Sequence, residues 1–338
     1  MTRATVFLSH SPSALANYYG TRALAALEAV ADVRLNPSEA PWTADTLAAA
    51  AQGCDILVSD RRAEAGADLL ARLPQLVAWC RCAVDIRNID VAAASANGIL
   101  VTQASAGFMT AVAEWVVGVM IDLSRHISAA VLQYRAGSAV APLMGRELRG
   151  ATLGLIGHGL IGRGLADLAL ALGMRVIVTD PHVAVRNPAL RQVPLGALLA
   201  EADYVVCLAN ATPQTENLMN AAAFAAMKPT AFFINPSRGN LVDEAALLAA
   251  LDAGRIAGAA LDVGRAPDQM PSLELARHPR VIATPHIGGL TPEAIQHQSM
   301  ETVQQVTDIV QGRVPQGAVN PAHASRLQAF FAHSRIER

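Results

Sequence analysis

A glycine-rich turn between two apolar segments, within residues 152–180, is the feature that most constrains how this chain folds. The apolar run at 153–156 has the pattern of a buried parallel strand, and residues 165–172 have the pattern of a helix. A second strand pattern at 176–179 follows and ends in Asp180. Strand, turn, helix, strand and terminal acid together predict the βαβ unit that binds a dinucleotide.

The residues of the turn have separate physical roles in this prediction. Gly157 permits the tight turn, Gly159 lets the backbone approach a pyrophosphate, and Gly162 lets the helix pack against the strand. The helix N-terminus faces the phosphate charge, and Asp180 would accept hydrogen bonds from the ribose hydroxyls. We expect His158 to be an exposed turn residue that contributes only its backbone.

The sequence favours NAD over NADP as the cofactor. Asp180 would repel a 2′-phosphate, and Pro181 and His182 after it supply no arginine to receive one.

Composition indicates a two-domain α/β protein that does not bind nucleic acid. The 338 residues are 52% apolar and 16% charged, which is enough for two sizeable cores. The net charge is −2 and basic runs are absent from the sequence, so we expect no nucleic-acid partner. No apolar run has membrane-spanning length without interruption, so no membrane association is expected.

Cysteine usage predicts buried thiols in a reducing compartment. Cys54, Cys80, Cys82 and Cys207 lie in or beside apolar runs and lack the paired spacing of a zinc site. We therefore expect no metal. The N-terminal sequence lacks a signal-peptide pattern, so a cytoplasmic location is expected.

Alternating strand and helix patterns predict two α/β domains with parallel sheets, each Rossmann-like or flavodoxin-like. Ahead of the glycine turn, strands are expected at 4–9, 32–35, 55–59, 76–82 and 99–102, with helices at 14–30 and 43–52. After it, strands are expected at 202–208, 231–235, 257–263 and 281–283, with a tail helix at 292–312.

The tail helix predicts a discontinuous first domain. We assign residues 1–104 and 290–338 to a substrate domain, and residues 105–289 to a dinucleotide-binding domain inserted into it. The two crossings predict a hinge over a cleft. A long apolar helix at 108–128 is expected to pack on two sides and to join two copies in a homodimer.

Three strand ends carry side chains that suit one reaction. Arg238 follows the strand at 231–235, Asp262 follows the next strand, and His286 stands in the loop after the strand at 281–283. Reduction of a 2-keto acid by hydride transfer needs a guanidinium for the carboxylate and carbonyl, and a proton donor. It also needs a carboxylate that keeps the donor charged. Arg238 and His286 suit the first two roles.

These motifs resemble those of the D-isomer-specific 2-hydroxyacid dehydrogenases. The resemblance rests on the mid-chain glycine motif, Asn235-Pro236-Ser237-Arg238-Gly239, Leu261-Asp262-Val263 and Thr284-Pro285-His286-Ile287-Gly288-Gly289. It implies an NAD-dependent oxidoreductase that interconverts a 2-keto acid and a D-2-hydroxy acid. It further implies that Arg238 binds the substrate, His286 is the acid/base, and Asp262 meets the nicotinamide carboxamide.

The sequence departs from the family pattern after Leu-Asp-Val. The family usually has a phenylalanine and then a Glu-Pro pair, whose glutamate partners the histidine, whereas residues 264–272 read GRAPDQMPS. Asp268 is the best substitute for that glutamate, and Glu274 is a weaker candidate.

A second departure lies in the substrate loop, where the family commonly has Gly-Val-Gly. Ala83, Val84 and Asp85 stand there as predicted substrate-binding residues. An acid facing the substrate carboxylate would repel it. Either Asp85 turns away and pairs with Arg87 or Arg81, which we favour, or the substrate carries an additional donor group.

The remaining cofactor contacts follow from the same assignment. The predicted cofactor-binding residues are Gly157, His158, Gly159, Leu160, Ile161, Gly162, Asp180, Pro181, Asn210, Pro236, Ser237, Asp262 and Gly288. Two alternative functions stay open: an NADH-sensing protein without catalysis, and a formate or phosphite dehydrogenase. Gln269, beside Asp268, is relevant to the second because formate enzymes of the family usually place a glutamine beside the histidine.

Overall fold

The computed structural model describes residues 3–336, apart from the side chains of Asp268 and residues 333–336. The chain forms two compact units: unit 1 comprises Met1–Phe108 and Thr291–Arg338, and unit 2 comprises Met109–Leu290. Each unit is built on one wholly parallel sheet, of five strands in unit 1 and seven in unit 2. The predicted α/β fold class is confirmed.

The sheet of unit 1 has the strand order β2-β1-β3-β4-β5. Its strands are β1 (Thr5–Leu8), β2 (Asp32–Leu35), β3 (Ile56–Ser59), β4 (Ala78–Arg81) and β5 (Leu100–Gln103). The helices between them are α1 (Pro12–Tyr18), α2 (Thr21–Val30), α3 (Ala44–Ala50), α4 (Ala67–Ala71) and α5 (Val91–Ala96). Every residue of β3 and β4 is buried, as expected for inner strands covered on both faces.

The single helix expected at 14–30 is wrong, because the chain forms two helices there. Gly20, between α1 and α2, has φ 85°, a left-handed conformation that glycine adopts without steric cost. Its N–H donates to the Leu15 carbonyl at 2.8 Å and closes the first helix.

Unit 2 begins with α6 (Met109–Arg125) and α7 (Ile127–Arg135) and then forms the sheet β12-β11-β10-β9-β6-β7-β8. Its strands are β6 (Thr152–Ile156), β7 (Arg175–Thr179), β8 (Leu190–Gln192), β9 (Tyr204–Cys207), β10 (Phe232–Asn235), β11 (Gly258–Leu261) and β12 (Val281–Ala283). Its other helices are α8 (Leu160–Ala171), α9 (Leu195–Glu201), α10 (Ala221–Ala226), α11 (Glu244–Asp252) and α12 (Leu273–Ala276).

This order places a topological switch point at β6, whose two neighbours in the sheet are β7 and β9. Ligands of open parallel sheets bind beyond the carboxyl ends of the strands at such a point. The turn that follows β6 is the glycine motif at residues 157–162.

The long helix expected at 108–128 is interrupted. Helix α6 ends at Arg125, His126 has φ 55°, and α7 continues at an angle of 67°. Within residues 3–336, no single helix is long and apolar enough to cross a membrane; α6 and α7 meet that test by length and composition only as a bent pair.

The last part of the chain completes unit 1 with α13 (Pro292–Val310) and α14 (Ser325–Ile336). Val303, Val306 and Ile309 of α13 are buried in the same apolar cluster as Val6 and Leu100 of the sheet. Next to β5, the Asn320 side chain accepts from the Val101 N–H at 2.7 Å and donates to the Ile99 carbonyl at 2.9 Å.

Candidate active site

The glycine turn has a geometry that excludes side chains at two of its three glycines. Gly157 has φ 103°, and a Cβ there would lie 2.8 Å from the Leu208 carbonyl oxygen. A Cβ at Gly162 would lie 2.7 Å from the Gly157 carbonyl oxygen, so α8 packs directly against the turn. A Cβ at Gly159 would meet no atom within 4 Å, so the space beside that residue is open. The turn therefore fits a dinucleotide phosphate.

The Asp180 carboxylate is oriented by three backbone N–H groups. Oδ2 accepts from His158 at 2.7 Å, and Oδ1 accepts from His182 at 2.8 Å and from Val183 at 3.0 Å. Burial acts to raise the pKa of Asp180, but these backbone hydrogen bonds outweigh it and hold the pKa below its ordinary value. Asp180, directly after β7, is thus hydrogen-bonded to the glycine turn and carries a negative charge there.

The expectation that His158 is exposed is wrong. The residue is only 6% exposed, and within the described part of the chain its Nδ1 has no hydrogen-bond partner. Burial and the nearby Arg163 guanidinium lower the pKa of the His158 imidazole. The side chain is therefore buried rather than facing solvent.

Substituting Asp180 by alanine is expected to weaken NADH binding roughly tenfold or more, because a charged hydrogen-bond acceptor is lost. NADPH binding should strengthen, since the repulsion of its 2′-phosphate disappears. Fluorescence titration with both nucleotides measures the two effects, and the melting temperature shows whether the turn is intact. Asp252→Ala, which removes an exposed acid of α11, is the control. Equal NADH affinity in Asp180→Ala and the parent would exclude Asp180 from the ribose site.

Three loops at the carboxyl ends of neighbouring strands carry the predicted chemistry. We name them the arginine loop (236–242, after β10), the acid loop (264–272, after β11) and the histidine loop (284–289, after β12). Because β10, β11 and β12 are adjacent and parallel, the three loops share one edge of the sheet.

The arginine loop is held by Asn235, the last residue of β10. Its Nδ2 donates to the Arg238 carbonyl at 2.9 Å, and its Oδ1 accepts from the Ser237 N–H at 3.1 Å. The Ser237 hydroxyl donates to the Ala209 carbonyl at 3.0 Å, which links the loop to the end of β9. Arg238 is half-buried, and its Nη1 donates to the Ser237 carbonyl at 2.7 Å.

Asp262 holds the histidine loop. It is 2% exposed, its Oδ1 accepts from the Thr284 hydroxyl at 2.6 Å and the Ile287 N–H at 2.8 Å, and its Oδ2 accepts from the Gly288 N–H at 2.7 Å. These bonds bracket His286 on both sides. The predicted contact of Asp262 with the cofactor stays a prediction, whereas its support of the histidine loop is observed.

Two residues of the predicted acid/base region have left-handed backbones. His286 has φ 56° and Gln269 has φ 59°, although neither is glycine. Such conformations cost free energy and persist only where the surrounding structure enforces them. They concentrate at functional sites. The Oε1 atom of Gln269 is also buried without a partner in the described part of the chain.

The acid loop contains a short 3-10 helix, Pro267–Gln269, that includes Asp268. The Asp268 side chain lies outside the described part of the structure, so its pairing with His286 stays a prediction. Glu274 lies in the first turn of α12 and is exposed.

In unit 1, hydrogen bonds orient the Asp85 side chain in the predicted substrate loop (83–85). Its carboxylate accepts from Nε and Nη2 of Arg87, at 2.7 Å for the closest pair, and from the Arg87 backbone N–H at 3.0 Å. The buried Arg81 donates through Nε to the Asp85 carbonyl at 3.1 Å. The predicted pairing of Asp85 with an adjacent arginine is confirmed for Arg87, and the expectation that Asp85 turns away from the substrate stays a prediction. The substrate contacts of Ala83, Val84 and Asp85 stay predictions.

The other predicted cofactor residues all lie on loops or helix starts that follow strands of unit 2. Leu160 and Ile161 begin α8, Pro181 follows β7, and Asn210 lies beyond β9 and is exposed. Pro236 is buried at the start of the arginine loop. A Cβ at Gly288 would lie 2.8 Å from Oδ2 of Asp262, so this glycine is required by packing.

Comparison with known proteins agrees with this geometry. A family model described as D-isomer specific 2-hydroxyacid dehydrogenase, NAD binding domain, matches residues 117–288. The hydroxypyruvate reductase of Thermotoga maritima is 34% identical over 257 residues, which cover 75% of this chain and 83% of that protein. The D-3-phosphoglycerate dehydrogenase of Synechocystis is 37% identical over 244 residues, 71% of this chain and 44% of that protein.

Comparison with solved structures finds proteins with the same fold. The crystal structure of the TT0316 protein from Thermus thermophilus superposes with a TM-score of 0.84 at 29% identity, covering 93% of this chain and 99% of that one. The chain belongs to the D-isomer specific 2-hydroxyacid dehydrogenase family, and unit 2 contains the NAD-binding domain of that family. It spans about half the length of the D-3-phosphoglycerate dehydrogenases that it matches, 44–55%.

Proposed function

We propose that this protein interconverts a 2-keto acid and a D-2-hydroxy acid by NAD-dependent hydride transfer. The observation that carries the proposal is the arrangement of Arg238, Asp262 and His286 on three adjacent strand ends, with Asp262 fixing the loop of His286. The glycine turn and Asp180 would hold the nucleotide, which supplies or accepts the hydride when it is bound. The D configuration rests on the family.

Each side chain has one task in this reaction. The Arg238 guanidinium binds the substrate carboxylate and polarises the carbonyl oxygen. In reduction, protonated His286 donates its proton to that oxygen, and in oxidation neutral His286 removes the proton from the hydroxyl. Asp268 would keep His286 protonated during reduction. Asp262 holds the histidine loop so that the imidazole keeps its position throughout.

The test is the consumption of NADH with glyoxylate, hydroxypyruvate, pyruvate, phenylpyruvate and longer branched keto acids, with NADPH in parallel. We expect turnover with at least one of them and a preference for NADH. Oxidation of formate or phosphite by NAD, without keto-acid turnover, would replace the proposal by the formate or phosphite alternative. Tight NADH binding with no turnover of any compound would favour the non-catalytic sensor.

We also propose that the protein is a homodimer through a surface on α6 and α7. Large apolar side chains there are exposed, among them Leu132 (65%) and Tyr134 (67%) of α7. Met144, at 95% exposure, follows in a segment whose Arg146 N–H donates to the Ser124 carbonyl of α6. We infer the interface from these exposed side chains, because large exposed apolar surface marks sites of protein–protein contact.

Replacing Leu132 and Tyr134 together by glutamate is expected to convert the dimer to a monomer, because two charges would be buried without partners. Light scattering coupled to size-exclusion chromatography measures the mass. Leu273→Glu changes a side chain of α12 that is 71% exposed, and it should leave the mass unchanged. A parent protein that is monomeric at micromolar concentration would contradict the proposal.

A further inference from the structure

A single side chain, Arg265 of the acid loop, is bonded to residues around the arginine loop. Its Nη2 lies 2.7 Å from Oε1 of Glu216, 2.7 Å from Oδ1 of Asn217 and 3.1 Å from the carbonyl oxygen of Asn240. Its Nε donates to the Val242 carbonyl at 3.2 Å. Two of these acceptors, Asn240 and Val242, belong to the arginine loop itself.

The backbone of Arg265 adds a further connection. Its N–H donates to Oε1 of Glu244, the first residue of α11, at 2.9 Å. Arg265 therefore joins three segments of chain: the one at Glu216 and Asn217, the arginine loop, and the start of α11.

The partners of Arg265 are also bonded to one another. The Asn240 side chain donates to Oε2 of Glu216 at 3.0 Å, and the Asn217 N–H donates to the Asn240 carbonyl at 2.9 Å. Asn217 has φ 53°, so its backbone is held in the left-handed region. Hydrogen bonds from Arg265 and Asn240 lower the pKa of Glu216, which keeps it charged.

The acid loop and the arginine loop also touch directly, at Gly264 and Gly239. A Cβ at Gly239, next to Arg238, would lie 2.1 Å from the carbonyl of Gly264, next to Arg265. Gly264 in turn has no room for a side chain, because its Cβ would lie 2.5 Å from Cα of Pro271. Glycine at both positions therefore lets the acid loop lie directly against the arginine loop.

We infer that Arg265 is a positioning residue that clamps the acid loop to the arginine loop, so that Arg238 is held in one arrangement for the substrate. This inference rests on the proposed function. An exposed ion pair alone contributes little to stability, and Arg265 and Glu216 are 39% and 41% exposed. Arg265 fixes the geometry of the loops because it bonds to several separate segments of the chain.

The experiment compares Arg265→Met and Arg265→Lys with Arg191→Met in the complete chain. Arg191 pairs with Glu201 elsewhere on unit 2 and is the matched control for loss of a surface ion pair. Hydrogen exchange is followed in peptides that cover 238–242 and 264–270, where the Val242, Gly264 and Ala266 amides donate to backbone carbonyls. The value of kcat/KM for the best 2-keto acid and the Kd for NADH are measured in parallel.

Arg265→Met is expected to speed exchange in both loops at least about tenfold. It should lower kcat/KM roughly 10- to 100-fold, because a small displacement of a substrate-binding group has that effect. The Kd for NADH should change far less than kcat/KM, because the bond from the Ser237 N–H to Asn235 still holds the start of the arginine loop. Arg265→Lys should recover part of the loss. Adding Glu216→Gln to Arg265→Met should cost nothing further, which is the signature of one shared interaction.

Each other outcome decides against the inference. Unchanged exchange in Arg265→Met would exclude the clamp. Faster exchange with unchanged kcat/KM would show that the clamp does not position Arg238. An equal loss in Arg191→Met would assign the effect to surface charge. If the parent protein reduces no 2-keto acid, the proposed function fails separately, and the exchange measurement still decides whether Arg265 orders the two loops.

Discussion

Replacing His286 by glutamine is expected to lower kcat for keto-acid reduction by about three orders of magnitude, within the range for loss of a general acid. Glutamine preserves the size and polarity of the side chain but cannot donate a proton as a cation does. The loop itself should persist, because the bonds from Thr284, Ile287 and Gly288 to Asp262 do not involve the His286 side chain. The Kd for NADH should therefore stay close to that of the parent.

Steady-state kinetics across pH, with NADH titration by fluorescence, measures this prediction. The pH dependence that the parent owes to its acid/base group should disappear in His286→Gln. His278→Gln is the control, since His278 precedes β12, at the amino ends of the strands, and pairs with Asp252. Parent-like turnover in His286→Gln would remove His286 from the mechanism.

Replacing Arg238 by glutamine is expected to lower kcat/KM by roughly three orders of magnitude, since it removes both a charged donor to the carboxylate and the polarisation of the carbonyl. KM should rise and kcat should fall together, because the guanidinium acts in both the bound and the transition state. Arg238→Lys should retain a small part of the activity, because a point charge cannot reproduce bidentate geometry.

The same kinetic measurements, with NADH titration added, test the role of Arg238. Asn235 bonds to the Arg238 carbonyl and to the Ser237 N–H, so the arginine loop should keep its conformation in these variants. Arg255→Gln changes an exposed arginine that precedes β11 and is the matched control. A rise in KM with kcat unchanged would limit Arg238 to binding and exclude its part in the chemical step.

Segments with a strong hydrophobic pattern could be predicted from sequence, because buried strands consist of continuous apolar runs. β6 and β10 are wholly buried and lie where the runs are, and the glycine turn between β6 and α8 has the conformation that its spacing requires. β8 was not predicted. It pairs only with β7 at the edge of the sheet, and two of its three residues are exposed, so it lacks that signal.

Side chains whose surroundings come from distant segments could not be predicted. His158 stands in a turn, where exposure is expected, yet it is buried, with Arg163 and Asp167 of α8 and Asp180 among its charged neighbours. His10 follows β1 and is 2% exposed, and its burial lowers its pKa to about 4. Arg265 has partners at 216–217 and 240–242, and no motif in the sequence connects those positions.

The packing of α13 against the sheet of unit 1 has a consequence for synthesis of the chain. The apolar cluster that includes Val6 and Leu100 also contains Val306, Ile309 and Leu327. During synthesis, residues 1–108 therefore lack a complete core until more than 200 further residues have left the ribosome. Unit 2 is contiguous and has no such delay. Because domains generally fold as units during translation, we expect unit 2 to reach its native state before unit 1, although it follows residues 1–108 in the chain.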